Sequence, residues 1–229
     1  RRSSDLDEGI KGYRDIAIER VRDFILNLGV EYHIYSYKDH FNVTIDEVSK
    51  IDHEILPCSY CGVFRRYLLN KAARELKANY LATGLNLDDT AQSIIMNFVR
   101  GDLERLARLG PHEIIKEDLV PRIQPLRTIP EKEVMLYAIL KKIPFYHGTC
   151  PYADLAIRNE FRSAIDSWEE RTPGSKYAIL STFDQIKPLL IPSYKNFKLN
   201  RCERCGEPTV GKICKACELR ERIENLQKM

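Results

Sequence analysis

Seven cysteines fall by spacing into a set of four and a set of three. Cys202, Cys205, Cys214 and Cys217 form a CxxC–x8–CxxC block near the C-terminus. Cys58 and Cys61 form another CxxC, and Cys150 stands alone far downstream. Four thiolates close a tetrahedral metal site, whereas three leave a coordination position free. The first set therefore reads as structure and the second as chemistry.

CxxC lets two sulfurs from one tight turn reach the same ion, and Gly206 tolerates the backbone that such a turn needs. The four-cysteine block reads as a structural zinc site, with a rubredoxin-like iron site or redox thiols as the other readings. A module of about 20 residues cannot build its own core, so the metal supplies much of its folding energy. The smaller set is less determined by spacing. Pro57-Cys58-Ser59-Tyr60-Cys61-Gly62 precedes a helical pattern, which places two thiols near a helix N-terminus, where the dipole favours thiolate. Cys150 on its own fits a buried cysteine equally well. A thioredoxin-type pair is a further reading of Cys58 and Cys61, although the strand and aromatic residue that usually lead into that motif are absent.

These residues need elements to hold them. The periodicity predicts a helix over 12–28, a strand over 30–37 and a helix over 64–77. A short strand over 79–83 ends at Gly84, and Asp88 or Asp89 is placed to cap the helix that follows. Residues 109–130 carry four prolines and read as irregular. Helices follow over 131–142, with Met135, Leu136, Ile139 and Leu140 as apolar positions, and over 155–170 and 176–187, broken at Pro173-Gly174. A linker over 192–200 leads to the cysteine block and a charged helix over 218–228. Strand, turn and helix in this order make an α/β unit with a parallel sheet.

At 229 residues, 44% hydrophobic and 30% charged, the chain has the size of one sizeable domain with a small appendage. No apolar run approaches the roughly 20 residues of a membrane span. The N-terminal residues have no apolar signal-peptide core. Paired cysteines without such a signal favour metal ligation in a reducing compartment, so the expectation is a cytoplasmic protein with no membrane partner. The net charge of +3 is too small to prove a nucleic-acid partner, although arginines crowd the middle of the chain.

Three separated motifs resemble one family. They are Pro57-Cys58-Ser59-Tyr60-Cys61-Gly62-Val63-Phe64-Arg65-Arg66, the turn Leu81-Ala82-Thr83-Gly84-Leu85-Asn86-Leu87-Asp88-Asp89, and Met96-Asn97-Phe98-Val99-Arg100-Gly101-Asp102. Together they are similar to the tRNA 2-thiolation enzymes of the TtcA/TtuA superfamily, and most closely to its archaeal NcsA and eukaryotic cytosolic wobble-uridine branch. The resemblance implies a Rossmann-like ATP-pyrophosphatase domain over 1–192 and a C-terminal zinc-binding module over 193–229. It implies that ATP, with magnesium, adenylylates C2 of a tRNA uridine, and that sulfur then displaces AMP. Cys58, Cys61 and Cys150 would hold a [4Fe-4S] cluster with one iron not ligated by protein, open to bind hydrosulfide. Cys202, Cys205, Cys214 and Cys217 would hold zinc. Thr83, Gly84 and Asp89 would meet the nucleotide, with Asp89 the catalytic or orienting acid beside Cys58 and Cys150, and Asp88 largely structural. Arg65, Arg66, Arg100 and Arg122 would contact RNA phosphates or the adenylate. The implied partners are tRNA, a sulfur donor (sulfide or a ubiquitin-like thiocarboxylate carrier) and a second copy in a homodimer.

Two departures stand out. Leu85 occupies a position where the family usually has histidine, and leucine can neither hydrogen-bond nor take up a proton. The family's SGGxDS phosphate loop is absent, because Arg2-Ser3-Ser4-Asp5 lacks the glycines that let amides wrap a pyrophosphate. The expectation is an N-terminally incomplete nucleotide domain, without its first strand, and weak or no ATP turnover. Uridine 34 is favoured over uridine 54 by the GVFRR and MNFVRGD stretches. A non-catalytic zinc-ribbon RNA-binding module and a thiol–disulfide redox protein are the competing functions.

Overall fold

The architecture is that of a computed structural model, which describes residues 2–111, 119–194 and 199–228. Two parallel βα units come first. Strand β1 (Arg2–Asp7) leads through helix α1 (Arg14–Asn27) to β2 (Glu31–Ser36), and the strands pair in parallel from Arg2↔Glu31 to Asp7↔Ser36. Gly29, at φ +65°, reverses the chain after α1. Helices α2 (Tyr37–Phe41), α3 (Ile45–Ile51) and α4 (Pro57–Glu75) follow, then β3 (Leu81–Ala82) and α5 (Leu87–Val99). Beyond α6 (Leu103–Ala107), β4 (Arg122–Ile123) pairs in parallel with β3. Helices α7 (Glu131–Leu140), α8 (Arg158–Arg171) and α9 (Ser175–Tyr194) precede the antiparallel hairpin of β5 (Asn200–Arg201) and β6 (Pro208–Thr209), and α10 (Lys215–Leu226) ends the chain.

The structure differs from the sequence reading at four places. β1 is a strand although its sequence, RSSDLD, is poor in β-formers; pairing with β2 and burial of Leu6 override the propensity. Helix α4 starts at Pro57, seven residues before the pattern predicts. Proline is favoured at the first helical position because the amide it lacks would have no partner there, so the CxxC lies inside the helix. Asn86, rather than either aspartate, caps α5: its side chain accepts from the Asp89 amide at 2.9 Å, and Asp89 answers from the third helical position. The linker expected over 192–200 lies partly within α9 and partly outside the described residues.

Helix α4 is the spine of the larger core. Its Tyr60, Phe64 and Leu68 are fully buried against Leu6, Tyr37, Phe41 and Val48, with the Phe41 and Phe64 rings stacked at 3.9 Å. Each such side chain contributes about 1.5–3 kcal/mol by leaving water. Leu219 and Ile223 of α10 join the same core, so the cysteine block is seated on α4. A second core joins Leu87 and Ile94 of α5 to Leu106, Leu180 and Phe183. Helix α7 is different. Its expected apolar positions face outward, with Leu136 55% and Leu140 71% exposed, and no described element covers them. No helix among the described residues is long and apolar enough to cross a membrane.

Candidate cysteine centres and the strand–turn–helix site

The four-cysteine block is a closed donor set. The hairpin and the start of α10 bring the sulfurs of Cys202, Cys205, Cys214 and Cys217 within 4.8 Å of one another. Gly206, at φ +73°, closes the first turn, with its amide on the Cys202 carbonyl at 2.9 Å. The Cys214 amide donates to the Cys202 sulfur at 3.2 Å, and Cys214 caps α10 by accepting from the Cys217 amide at 3.4 Å. Burial works against ionisation, but amides of Cys214, Cys205 and Arg204 bring Cys202 down to about 6. Burial pushes Cys214 up to about 11. Four crowded thiols resist ionising together unless a cation joins them, so the donor set fits a tetrahedral, thiolate-bound metal.

The block is tied to α4 by two buried acids. Asp52 accepts from Arg222 of α10 and from Tyr60 of α4, each at 2.6 Å. These bonds, Arg222 first, hold the Asp52 carboxyl well below the usual carboxylate range. Glu207, beside the knuckle turn, accepts from Arg74 and Asn70 of α4.

The other three cysteines converge from two directions. Cys58 and Cys61 lie in the first turns of α4, and the Cys58 thiol donates to the Tyr152 carbonyl at 3.3 Å. That bond places Cys58 beside the loop that carries Cys150. Tyr152 is fixed in turn by its hydroxyl, 2.7 Å from Asp46 and 3.1 Å from Ser49. Cys150 acts electrostatically on both Cys58 and Cys61. The helix-dipole expectation of a lowered thiol pKa is not met: burial, then the neighbouring sulfurs Cys150 and Cys61, push Cys58 up. Burial also pushes Cys61 up, against the opposing charge of Arg65. The three sulfurs are not gathered at the single-ion spacing of the other four. Three half-buried thiols brought together from the start of α4 and a distant loop fit a metal group held by cysteine.

Arg65 belongs to this centre. Its guanidinium lies 3.5 Å from the Cys61 sulfur and 2.8 Å from the buried carboxylate of Glu8, at the end of β1. Glu8, which also pairs with Arg14 at 2.9 Å, had no motif to mark it in sequence. Arg66 and Arg122 form no ion pair among the described residues. Desolvation, then the charge of Arg105, lowers Arg66, and desolvation, then Arg66, lowers Arg122. They make a patch of like charge. Arg100 is exposed at the end of α5, apart from the cysteines in the chain.

The turn after β3 is the third part. A Cβ built on Gly84 would meet nothing within 4 Å, and its backbone is not left-handed, so the local fold does not require glycine there. The Thr83 hydroxyl and the Gln124 side-chain oxygen are buried without a hydrogen-bond partner at the ends of β3 and β4. Asp89 caps from its third-position site and pairs with Arg158 at 3.2 Å. Asp88 turns the other way. It accepts from Lys176 and, at 2.7 Å, from the Glu131 amide. Burial opposes its ionisation, but the Lys176 ammonium and the Glu131 amide keep Asp88 below its ordinary value. Arg158 and Lys176 carry no motif, and only their side-chain contacts single them out.

Parallel strands, a strand–turn–helix with open backbone, and two separate cysteine sets gathered around one helix define a helix-rich α/β scaffold. No protein-family model matches the chain, but individual relatives do. It is 40% identical over 230 residues to the tRNA 2-thiolation protein NcsA of Haloferax volcanii, covering 96% of this chain and 72% of that protein. It is 36% identical to the cytoplasmic tRNA 2-thiolation protein 1 of Arabidopsis thaliana, covering 95% of this chain and 61% of that one. Among solved structures it matches the U34-tRNA thiolase NcsA of Methanococcus maripaludis, described with its [4Fe-4S] cluster, at TM-score 0.80 and 36% identity, over 96% of this chain and 69% of that one. The chain belongs to the NcsA family of tRNA 2-thiolation proteins, and it spans about two thirds of the length of these relatives.

Proposed function

We propose that this chain carries the sulfur-handling and part of the nucleotide-handling machinery of a tRNA uridine 2-thiolase. The supporting observation is the convergence of Cys58, Cys61 and Cys150 beside Arg65, in a chain whose structural relative is described with a [4Fe-4S] cluster. Cys58, Cys61 and Cys150 would hold that cluster, which when bound supplies an iron without a protein ligand, where a sulfur donor can be held. Arg65 donates toward the Cys61 sulfur and stabilises the negative charge of a thiolate set. Glu8 fixes the guanidinium in that position. Cys202, Cys205, Cys214 and Cys217 would hold zinc, which orders the hairpin and seats α10 on α4.

Thr83 and Gly84 would take the adenylate, Thr83 with its unpartnered hydroxyl and Gly84 with its open approach. Open α/β sheets bind nucleotides at the carboxyl ends of their strands. Asp89, held by Asn86 and Arg158, would orient ATP and its magnesium, while Asp88 holds α5 to α7 and α9. Arg66, Arg100 and Arg122 would meet RNA phosphate, which positions a tRNA without selecting it. Wobble uridine 34 is the favoured target, because the solved relative is named for it. A cytoplasmic location, tRNA, a sulfide or thiocarboxylate donor and a homodimer belong to the same reading.

The test is mass spectrometry of tRNA nucleosides from cells with and without the gene. Loss of 2-thiouridine, restored by the wild-type gene but not by Cys150→Ser, supports the reading. Unchanged 2-thiouridine refutes it.

A further inference from the structure

The turn that follows β1 is tied to both flanks of Cys150. The two carboxylate oxygens of Asp46 accept from the Lys11 amide at 3.0 Å and from the Tyr152 hydroxyl at 2.7 Å. On the other flank, Tyr146 donates its hydroxyl to the Gly12 carbonyl at 3.1 Å, and its ring centre lies 5.9 Å from that of Tyr13. Between Tyr146 and Cys150 the chain folds tightly: a Cβ on Gly148 would lie 2.2 Å from the Tyr146 ring. Residues 11–13 are therefore held against the loop that carries Cys150.

Tyr13 stands between the two arms of the three-cysteine centre. Its neighbour Arg14 joins the Glu8–Arg65–Cys61 chain of contacts on one side. Cys150 acts electrostatically on the Tyr13 phenol from the other, as do Arg14, Glu8 and Arg65. The surrounding tyrosines have committed their hydroxyls: Tyr37 to the Cys61 carbonyl at 2.9 Å, Tyr60 to Asp52, Tyr146 to Gly12 and Tyr152 to Asp46. The half-buried Tyr13 makes no side-chain hydrogen bond among the described residues. Nor does helix stability explain a tyrosine there. The residue occupies the cap position of α1 without capping it, where a serine, threonine, aspartate or asparagine would bond the first turn.

We propose that the Tyr13 hydroxyl is a hydrogen-bond donor to the exchangeable sulfur handled at the Cys58–Cys61–Cys150 centre. This role rests on the assignment of those cysteines as a cluster site. Hydrosulfide is an anion whose lone pairs accept hydrogen bonds. Arg65 supplies positive charge on the Cys61 side. On the Cys150 side a neutral phenol, whose ordinary pKa is about 10, supplies a proton to share without giving it up. Donors placed around a ligand set orient what the set holds. Because the Tyr13 hydroxyl has no partner among the described residues, it can turn to the sulfur without breaking an internal bond.

The test is a titration with sodium sulfide of the chain after anaerobic reconstitution and desalting, followed by the electron paramagnetic resonance of the reduced protein. Tyr13→Phe keeps the ring against Tyr146 and removes only the oxygen. It should hold as much iron as the wild type and give the same spectrum before sulfide is added. Half-saturation should nevertheless need about tenfold or more hydrosulfide, the effect of one hydrogen bond to a charged group. Unchanged hydrosulfide affinity in an iron-loaded Tyr13→Phe variant overturns the role of Tyr13 alone. So does a spectrum altered before sulfide is added, which would mean that the hydroxyl serves a cysteine ligand, or a loss of iron, which would mean that it serves the fold. Iron-free wild-type protein overturns the cluster assignment and this role with it. No readout involves tRNA or turnover.

Discussion

Asp88 and Asp89 are neighbours on α5 that face opposite ways: Asp88 is tied to Lys176 of α9, whereas Asp89 is paired with Arg158 of α8. The first pair is about nine-tenths buried and the second is open to water on one side. One carboxylate is placed to hold helices together, the other to remain available.

That contrast gives opposite expectations for two similar substitutions. Asp88→Asn leaves a buried ammonium with a weakened partner and should cost about 3 kcal/mol in urea unfolding. It should change nucleotide affinity little under conditions where the protein stays folded. Asp89→Asn keeps an oxygen for the cap and should change stability by less than about 1 kcal/mol. It should nevertheless reduce 2-thiouridine formation by about 100-fold or more. Equal stability losses in the two variants would contradict the division of roles.

Gly84→Ala separates folding from binding at the turn. The added methyl meets no atom within 4 Å and no left-handed backbone, so the melting temperature should hold or rise slightly. ATP binding, measured by calorimetry on a chain carrying its complete nucleotide site, should fall about tenfold. Unaltered binding would mean that the adenylate does not approach Gly84.

Stability should show the docking of the cysteine block as a pH effect. Asp52 has a folded pKa depressed by Arg222 and Tyr60. Its contribution is therefore complete above the ordinary carboxyl value of about 4 and is lost as pH falls below it, through the depressed folded value. Asp52→Asn should lower the melting temperature at pH 7 by about 5 °C or more, and the gap to wild type should narrow toward pH 3. A gap independent of pH would show that the Arg222 pairing adds nothing.

Metal removal should act on the same interface. A chelator that strips Cys202, Cys205, Cys214 and Cys217 should unfold the hairpin and release α10, seen as lost helical ellipticity. Because metal displaces thiol protons, stripping should be easier at pH 5.5 than at pH 8. Retained ellipticity in metal-free protein would show that packing on α4 alone supports the block.

Sequence spacing made the cysteine sets legible because a metal imposes short, fixed distances between ligands. The strand–turn–helix at Thr83–Asp89 was legible for a similar reason, since turn, cap and helix are local. What could not be read was non-local. RSSDLD becomes a strand only beside β2, and Glu8 acquires a role only when β1 brings it to Arg65, 57 residues away. The pairing of Arg158 with Asp89 likewise spans 69 residues. Burial, invisible in the motif, pushes Cys58 and Cys61 up, where a helix start by itself suggests a lowered value. Asn86 took the cap because it lies one residue ahead of α5, with Asp89 in the reciprocal third position.

Iron and acid-labile sulfide content after anaerobic reconstitution tests the central claim most directly. The wild-type chain should bind about four irons and four sulfides, with broad absorbance near 400 nm, and Cys150→Ser should lose most of both while leaving the four-cysteine block intact. Iron-free wild-type protein, or a Cys150→Ser variant that binds the full complement, would contradict the assignment of Cys58, Cys61 and Cys150 as one cluster site.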